Sequence, residues 1–196
     1  MYLKMVNAMA KNKMGTPYLR FDGASYFDLG IVPVGDFEIE ITARALSDTI
    51  KGFIHVGQQT GWNVVQNRLC VSAASTGQVW FANQSTYNNS SGYRMADMLN
   101  TKHTYYVSKS QYGVDGVKNA LGTYSTGIYN TSIWLGAIQE GFDGACSLMD
   151  FFELKCWRDG VLIADIIPFA NNQIKNLITD DIRLNLGTGA ALLYYE

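Results

Sequence analysis

Three acidic side chains stand at alternate positions in the segment DFEIEITARA, namely Asp36, Glu38 and Glu40. Alternate residues of a β-strand share a face, so Glu38 and Glu40 are expected about 7 Å apart along the chain. A retaining glycosidase needs two carboxyl groups roughly 5–5.5 Å apart, one as the nucleophile and one as the acid/base. Thr42 and Arg44 continue the same face without a further acid. The pattern therefore favours a solvated strand face over a catalytic pair.

The other reactive residue types give no catalytic or metal-binding pattern. The two histidines, His55 and His103, lack a Gly-x-Ser-x-Gly nucleophile motif or a Cys/His pair with zinc spacing, so both are predicted to be structural. Several Asp and Asn residues in the last third of the sequence offer the oxygen ligands that calcium prefers, but their spacing specifies no calcium site. These candidates are Asp143, Asn171, Asp180 and Asp181. We predict a non-enzymatic protein without a metal or a cofactor.

The tract from residue 57 to residue 93 combines aromatic and amide side chains with a single charge, Arg68. Aromatic faces against sugar rings, with amides holding the hydroxyl groups, would suit a neutral glycan. Two other interpretations stay open. Trp80 lies in an alternating segment that would fill the core, and a subunit interface is also rich in Tyr and Trp and poor in charge. The residues that we predict to bind a glycan are Trp62, Asn63, Gln66, Tyr87 and Tyr93.

Composition excludes several classes of function. Charged residues make up 16% of the 196 residues and the net charge is -2, which gives no basic surface for nucleic acid. A run of about 18 apolar residues is absent, so we predict no membrane span. The first residues lack a signal peptide pattern, which predicts synthesis in a reducing cytoplasm, followed by retention there or release by lysis. An odd number of cysteines fits this, although a bridge between Cys146 and Cys156 stays open.

Residues 1–17 differ from the rest of the chain. They hold four of the seven methionines and no acid, and Met1, Met5 and Met9 would share one face of a short helix. The segment is either a loose arm or an arm that docks on a partner, since Met side chains adapt to irregular surfaces. Pro17 ends it in both interpretations.

From Tyr18 onward, short alternating segments are separated by turn residues. Four Asp-Gly pairs begin at Asp22, Asp115, Asp143 and Asp159, and each predicts a β-hairpin. In the segment FELKCWRDGVLIADIIPF, Pro168 is expected to end the second strand. Apart from the arm, a helical turn is predicted only within residues 171–178. So many short strands must close or pack as two sheets, so we predict an all-β, two-sheet antiparallel sandwich over residues 18–196.

The order of these segments resembles the concanavalin A-like jelly roll, in particular its laminin-G-like branch. YLRFDGASYFDLG resembles the first hairpin of that family, DFEIEITARA its next long strand, and YYVSKSQYGVDGVKN a later strand pair. GFDGACSLMDFFELKCWRDGVLIADIIPF followed by ALLYYE is similar to the closing segment of domains found in phage tail, fibre and capsid-associated proteins. The resemblance covers residues 18–196 and implies a jelly-roll sandwich.

That family includes lectins, glycan-binding modules, glycosidases and virion components, so the fold alone does not fix the activity. Our leading expectation is a non-enzymatic phage virion protein, assembled in the host cytoplasm and located in the head decoration, tail or fibre. Its expected partners are other virion proteins and further copies of itself. The alternatives are a module that binds a neutral glycan for attachment and, third, a glycoside hydrolase.

Overall fold

The computed structural model describes residues 15–47, 52–56, 69–73, 79–83, 86–88, 93–121, 131–137 and 146–196. These residues form sixteen strands and one helical turn, α1 (Met95–Met98). The strands are β1 (Pro17–Asp22), β2 (Phe27–Asp28), β3 (Phe37–Ala45), β4 (Gly52–Val56), β5 (Leu69–Ala73), β6 (Val79–Asn83), β7 (Thr86–Asn88), β8 (Lys102–Ser108), β9 (Gln111–Val114), β10 (Val117–Ala120), β11 (Trp134–Leu135), β12 (Leu148–Arg158), β13 (Val161–Ala170), β14 (Gln173–Asn176), β15 (Ile182–Leu184) and β16 (Ala191–Tyr195).

The strands form two antiparallel sheets. The larger sheet has the order β10-β9-β8-β3-β12-β13-β14-β15, and β1 joins it by pairing with both β12 and β16. The smaller sheet has the order β2-β11-β4-β5-β6-β7. The prediction of an all-β, two-sheet antiparallel sandwich is confirmed.

Alternation along the strands puts the core between the sheets. In β3 the side chains of Phe37, Ile39 and Ile41 are buried, whereas Glu38 and Glu40 between them are only partly covered. The same core contains residues of both sheets, including Phe27, Ile54, Phe81, Leu135, Phe151 and Leu154. Burying a side chain of this size contributes about 1.5–3 kcal/mol, so the core is the main source of stability.

Strand β12 is the central element of the larger sheet because three strands pair with it. One edge pairs with β3, while the other edge pairs first with β1 and then with β13. A β-bulge between Phe151 and Glu153 marks the point where β1 gives way to β13. The bulge adds a residue to the strand, so Phe152 and Glu153 both lie on the outer face between the core residues Phe151 and Leu154. This outer face carries the site described below.

Two of the predicted Asp-Gly hairpins are confirmed. Asp115-Gly116 joins β9 to β10 and Asp159-Gly160 joins β12 to β13, and all four residues have positive φ. Positive φ at both positions is what a two-residue hairpin turn requires. The pair at Asp143 lies outside the described residues.

The predicted hairpin at Asp22-Gly23 is wrong, because β1 belongs to the larger sheet and β2 to the smaller one. Positive φ occurs at Gly23 but not at Asp22. The Asp22 carboxylate instead accepts hydrogen bonds from the amide of Ala24 and the hydroxyl of Ser25, both at 2.9 Å. It also accepts a hydrogen bond of 2.6 Å from the amide of Ala190. Asp22 thus stabilises a crossover between the sheets.

The structure corrects two predictions near the end of the hairpin formed by β12 and β13. Residues 171–178 form β14 between two turns rather than a helical turn, because Asn172 takes a positive φ of 59° and Ile174 is buried between β13 and β15. Pro168 lies within β13 rather than at its end. It is tolerated there because the β12 pairing ends at Ile166 and a bulge follows Pro168.

The sheet begins within the predicted arm. Thr16 and Glu196 exchange backbone hydrogen bonds of 2.7 and 3.1 Å, and β1 begins at Pro17. The predicted docking residues Met1, Met5 and Met9 lie outside the described residues. Cys146 and Cys156 are both buried and are not joined to each other by a disulfide, and burial raises the pKa of Cys156.

Candidate functional site

A group of charged and aromatic side chains lies on the outer face of the larger sheet, where β1, β3, β8, β12 and β16 come together. Alternation explains the position, because the charged residue that each of β1, β3 and β12 contributes to this group has core residues on both sides. Arg20 is flanked by Leu19 and Phe21, Arg44 by Ala43 and Ala45, and Asp150 by Met149 and Phe151. We call this group the Asp150 cluster, consisting of Tyr18, Arg20, Arg44, Lys102, Asp150, Phe152, Tyr194 and Glu196.

Asp150 is fully buried and is paired with two arginines. The Nε and Nη2 atoms of Arg20 donate to its two carboxylate oxygens at 2.7 and 3.0 Å, and Nε of Arg44 donates at 2.8 Å. The side chains of Arg20 and Arg44 are 43% and 20% exposed. A buried carboxylate is stable only when it is paired and hydrogen-bonded. The three charge-assisted bonds meet that requirement and fix both guanidinium groups.

A second carboxylate extends this network across the face. Oε2 of Glu196 lies 3.0 Å from Nη1 of Arg44, and its Oε1 lies 2.8 Å from Nζ of Lys102. The hydrogen bond from Lys102 lowers the pKa of Glu196 despite partial burial. Two carboxylates against three cations leave a formal charge of +1 on the Asp150 cluster.

Aromatic rings surround the cations. The ring of Tyr18 stacks on that of Tyr194 with centroids 5.5 Å apart. The guanidinium of Arg20 lies 5.7 and 5.4 Å from these two ring centroids. The guanidinium of Arg44 lies 5.4 Å from the centroid of the Phe152 ring, and Nζ of Lys102 lies 4.7 Å from the same centroid. Such cation–π contacts contribute about 0.5–1 kcal/mol each at exposed positions.

The proton affinities follow from this geometry. The hydrogen bond to Asp150 raises the pKa of Arg20. Partial burial would lower the pKa of Arg44, but the bonds to Asp150 and Glu196 outweigh it and raise that pKa. Both arginines therefore remain charged. The cluster exposes the side chains of Arg20, Lys102 and Tyr194, while Tyr18, Phe152 and Asp150 are buried. This arrangement suits contacts with a partner rather than proton transfer.

The two acids weighed as a catalytic pair, Glu38 and Glu40, are engaged by neighbouring side chains. The Tyr106 hydroxyl donates to Oε2 of Glu38 at 2.7 Å, and Glu40 lies between Tyr106 and Lys155 in the strand register. Burial, helped by Glu38, raises the pKa of Tyr106 to about 12. Lys118 adds a positive charge 3.6 Å from the centroid of the Tyr106 ring. The structure thus places the two acids on a mixed-charge strand face.

The predicted glycan-binding residues are not brought together by the described part of the structure. Trp62, Asn63 and Gln66 lie outside it. Tyr87 belongs to β7, the edge strand of the smaller sheet, and only its backbone is described. Tyr93 is half-buried and packs edge-on against Phe81, with the ring centroids 6.4 Å apart. The glycan site stays a prediction.

The histidines and the late oxygen ligands serve local contacts. His55 is buried, and Nδ1 of His103 lies 2.7 Å from the carboxylate of Asp115. Asn171 accepts a hydrogen bond from the Leu193 amide, Asp180 pairs with Lys175, and Asp181 accepts one from Thr179. Asp143 lies outside the described residues. Within the described residues no three His, Cys, Asp or Glu side chains are grouped as metal ligands.

The sequence analysis did not identify the Asp150 cluster, although one signal was available. Asp150 lies between Met149 and Phe151 in an apolar strand, and a lone acid there requires a cation. The sequence could not identify Arg20 and Arg44 as the partners of Asp150, because they lie 130 and 106 residues away from it along the chain.

A scan against models of known protein families finds no match for the chain, and a search of curated proteins finds none either. In the part of the chain that the structure describes, no helix is long and apolar enough to cross a membrane. The two-sheet sandwich is therefore established by the structure, while the concanavalin A-like resemblance remains a prediction.

Proposed function

We propose that the chain is a non-enzymatic structural protein of a phage virion, in the head decoration, the tail or a fibre. The observation that carries this proposal is the Asp150 cluster. It exposes two cations and one aromatic ring, from Arg20, Lys102 and Tyr194, close to the start of β1. Aromatic residues and arginine are enriched in protein interfaces. The resemblance of residues 18–196 to phage tail, fibre and capsid-associated domains gives the class of partner.

In this proposal, the Asp150 cluster contacts other virion proteins or further copies of the chain. The cluster suits this role because Asp150 holds Arg20 in place while leaving its side chain 43% exposed. A preorganised arginine loses less conformational freedom on binding than a mobile one. The contacts are thus made by side chains that are already ordered.

Mass spectrometry of virus particles purified from the source culture tests the proposal. Peptides of this chain are counted against those of the major shell protein. Many copies indicate head decoration, and a few indicate a tail or fibre component. Particles that contain none of the chain would refute the virion assignment.

Binding of the purified chain to particles that lack it tests the surface itself. We expect Arg20→Met to weaken binding more than tenfold, since an arginine at the centre of an interface commonly contributes 2 kcal/mol or more. The matched control is Arg94→Met, because Arg94 is exposed and lies outside the cluster. Equal binding by the two variants would exclude the Asp150 cluster as the contact.

Glycan binding is the second candidate, and the aromatic and amide tract of residues 57–93 favours it. We expect saturable binding of a neutral oligosaccharide that is lost in Trp62→Ala and retained in Tyr195→Ala, a control that removes an exposed ring elsewhere. Hydrolysis is the third candidate. Full glycosidase activity in Glu38→Gln and Glu40→Gln variants would exclude these acids as its catalytic pair.

A further inference from the structure

Among the described residues, the exposed large apolar side chains are concentrated from Phe169 to Tyr195. Four of them come from β13, β15 and β16 of the larger sheet, and the most exposed of the four is Leu184, at 59%. We call these four the apolar band: Phe169, Ile182, Leu184 and Leu192. Sets of exposed apolar side chains of this kind mark interaction surfaces.

The strand register puts Ile182 and Leu184 on the outer face. Ile174 of β14 is fully buried, so its neighbours Gln173 and Lys175 point outward. Leu184 is paired with Gln173 and Ile182 with Lys175, and paired residues share a face. Nζ of Lys175 also lies 5.5 Å from the centroid of the Phe169 ring, which extends the band to the end of β13.

The turn between β13 and β14 connects this surface to β16. The amide of Asn172 donates to the Ala191 carbonyl at 2.7 Å, and the amide of Asn185 donates to the Asn172 carbonyl at 2.9 Å. Leu192 is paired with Arg20, whose side chain lies on the outer face. Leu184 and Leu192 therefore lie on either side of this turn, and the apolar band runs from β16 to β15.

We propose that residues 1–14 of the same chain occupy the apolar band. The described chain begins at Gly15, and Thr16 is hydrogen-bonded to Glu196 directly after β16. From there to Leu184 is roughly 20 Å by strand spacing and rise. Fourteen residues reach about 46 Å when extended and about 21 Å as a helix. The segment can reach the band in either conformation.

The chemistry of the two surfaces is complementary. Residues 1–14 contain four methionines, three lysines and no acid. Methionine side chains adapt to irregular apolar surfaces. Asp180 and Asp181 follow the exposed Leu177 and Ile178 at the β15 end of the band. Because Lys175 pairs with Asp180, the three side chains leave one net negative charge there for a lysine of the segment. Because the segment is tethered beside the band, its effective concentration there is about millimolar. This favours its own chain over a second copy.

Limited trypsin digestion of the purified full chain tests this inference without virus particles, so the result is independent of the virion proposal. The readout is cleavage after Lys4, measured by mass spectrometry and compared with a synthetic peptide of residues 1–16. Cleavage of a transiently open segment follows the open population, so occupancy of the band should slow it by about tenfold or more. Ile182→Asp combined with Leu184→Asp should restore the peptide rate.

Val117→Asp is the matched control, because Val117 is 61% exposed and lies in β10, at the opposite edge of the sheet. This variant should keep the protection, and thermal unfolding verifies that all variants are folded. Cleavage of the wild-type chain at the peptide rate would overturn the inference. So would protection that survives the double substitution, or that is lost equally in the control. Protection that disappears on dilution would also overturn it, by assigning the band to the arm of a second copy.

Discussion

Replacing Asp150 by Asn is expected to destabilise the protein by about 3 kcal/mol. The substitution keeps the size of the side chain but removes the buried charge that pairs with Arg20 and Arg44. It also places an amide NH2 group against guanidinium donors. Removing one partner of a buried ion pair costs about 3–5 kcal/mol because the remaining charge is uncompensated. The two arginines are 43% and 20% exposed and regain some hydration, which puts the loss near the lower end.

Urea unfolding at pH 7, followed by tryptophan fluorescence, measures this loss as a shift of the midpoint at constant slope. The thermal midpoint should fall by about 6–12 °C, since 1 kcal/mol corresponds to about 2–4 °C in a chain of this size. The matched control is Asp97→Asn in α1. Asp97 is exposed, so its replacement should change stability by less than about 0.5 kcal/mol.

A loss below about 1 kcal/mol for Asp150→Asn would refute the view that a buried charge holds the arginines. A further variant separates charge from packing. Asp150→Leu combined with Arg20→Met and Arg44→Met removes all three charges together. An apolar replacement of a complete ion-pair network is often close to neutral, so this variant should be more stable than Asp150→Asn. The opposite order would show that packing, rather than the missing charge, causes the loss.

Three further predictions concern single residues. Burial alone would raise the pKa of Asp22, but the hydrogen bonds that its carboxylate accepts lower it. The stability that this shift contributes is complete above about pH 4 and is lost as the pH falls through the lowered pKa. Asp22→Asn should therefore flatten the acid side of a curve of stability against pH. Gly187→Ala should lower the free energy of unfolding in urea by more than about 2 kcal/mol, since the added Cβ would overlap the Ala24 carbonyl. In the control Gly160→Ala, the added Cβ meets no atom within 4 Å. That variant should lose only about 1–2 kcal/mol, because of the positive φ at this position. The buried Cys156 should react with a thiol reagent only on unfolding, and peptide mapping that finds labelling in the native protein would contradict its placement.

The sequence predicts those parts of the fold that depend on local contacts. Asp115-Gly116 and Asp159-Gly160 form the expected two-residue hairpins because both residues of each pair can adopt positive φ. The same dipeptide at Asp22 forms a crossover instead. Its carboxylate is held by the Ala190 amide, 168 residues further along the chain. No local pattern contains that contact.

The candidate site was unpredictable for a related reason. Alternation in β1 and β12 places Arg20 and Asp150 on the outer face of the sheet, away from the core residues beside them in sequence. It does not say that β1 pairs with β12 in a register that puts Arg20 beside Asp150. A shift of one residue would turn Asp150 toward the core. The sequence therefore predicts which residues point outward, but not which of them meet.

The pairing of β1 with β12 and β16 also determines when the protein can fold. Ribosomal synthesis produces β1 early, but Leu19 and Phe21 find their backbone partners only in strands made more than 120 residues later. Closing such long loops is slow, and unpaired apolar strands tend to aggregate before their partner strands have been synthesised. The nascent chain must therefore keep β1 soluble until β16 has left the ribosome. Slower translation before β12 would prolong this exposure, whereas a chaperone that holds residues 17–22 would shorten it.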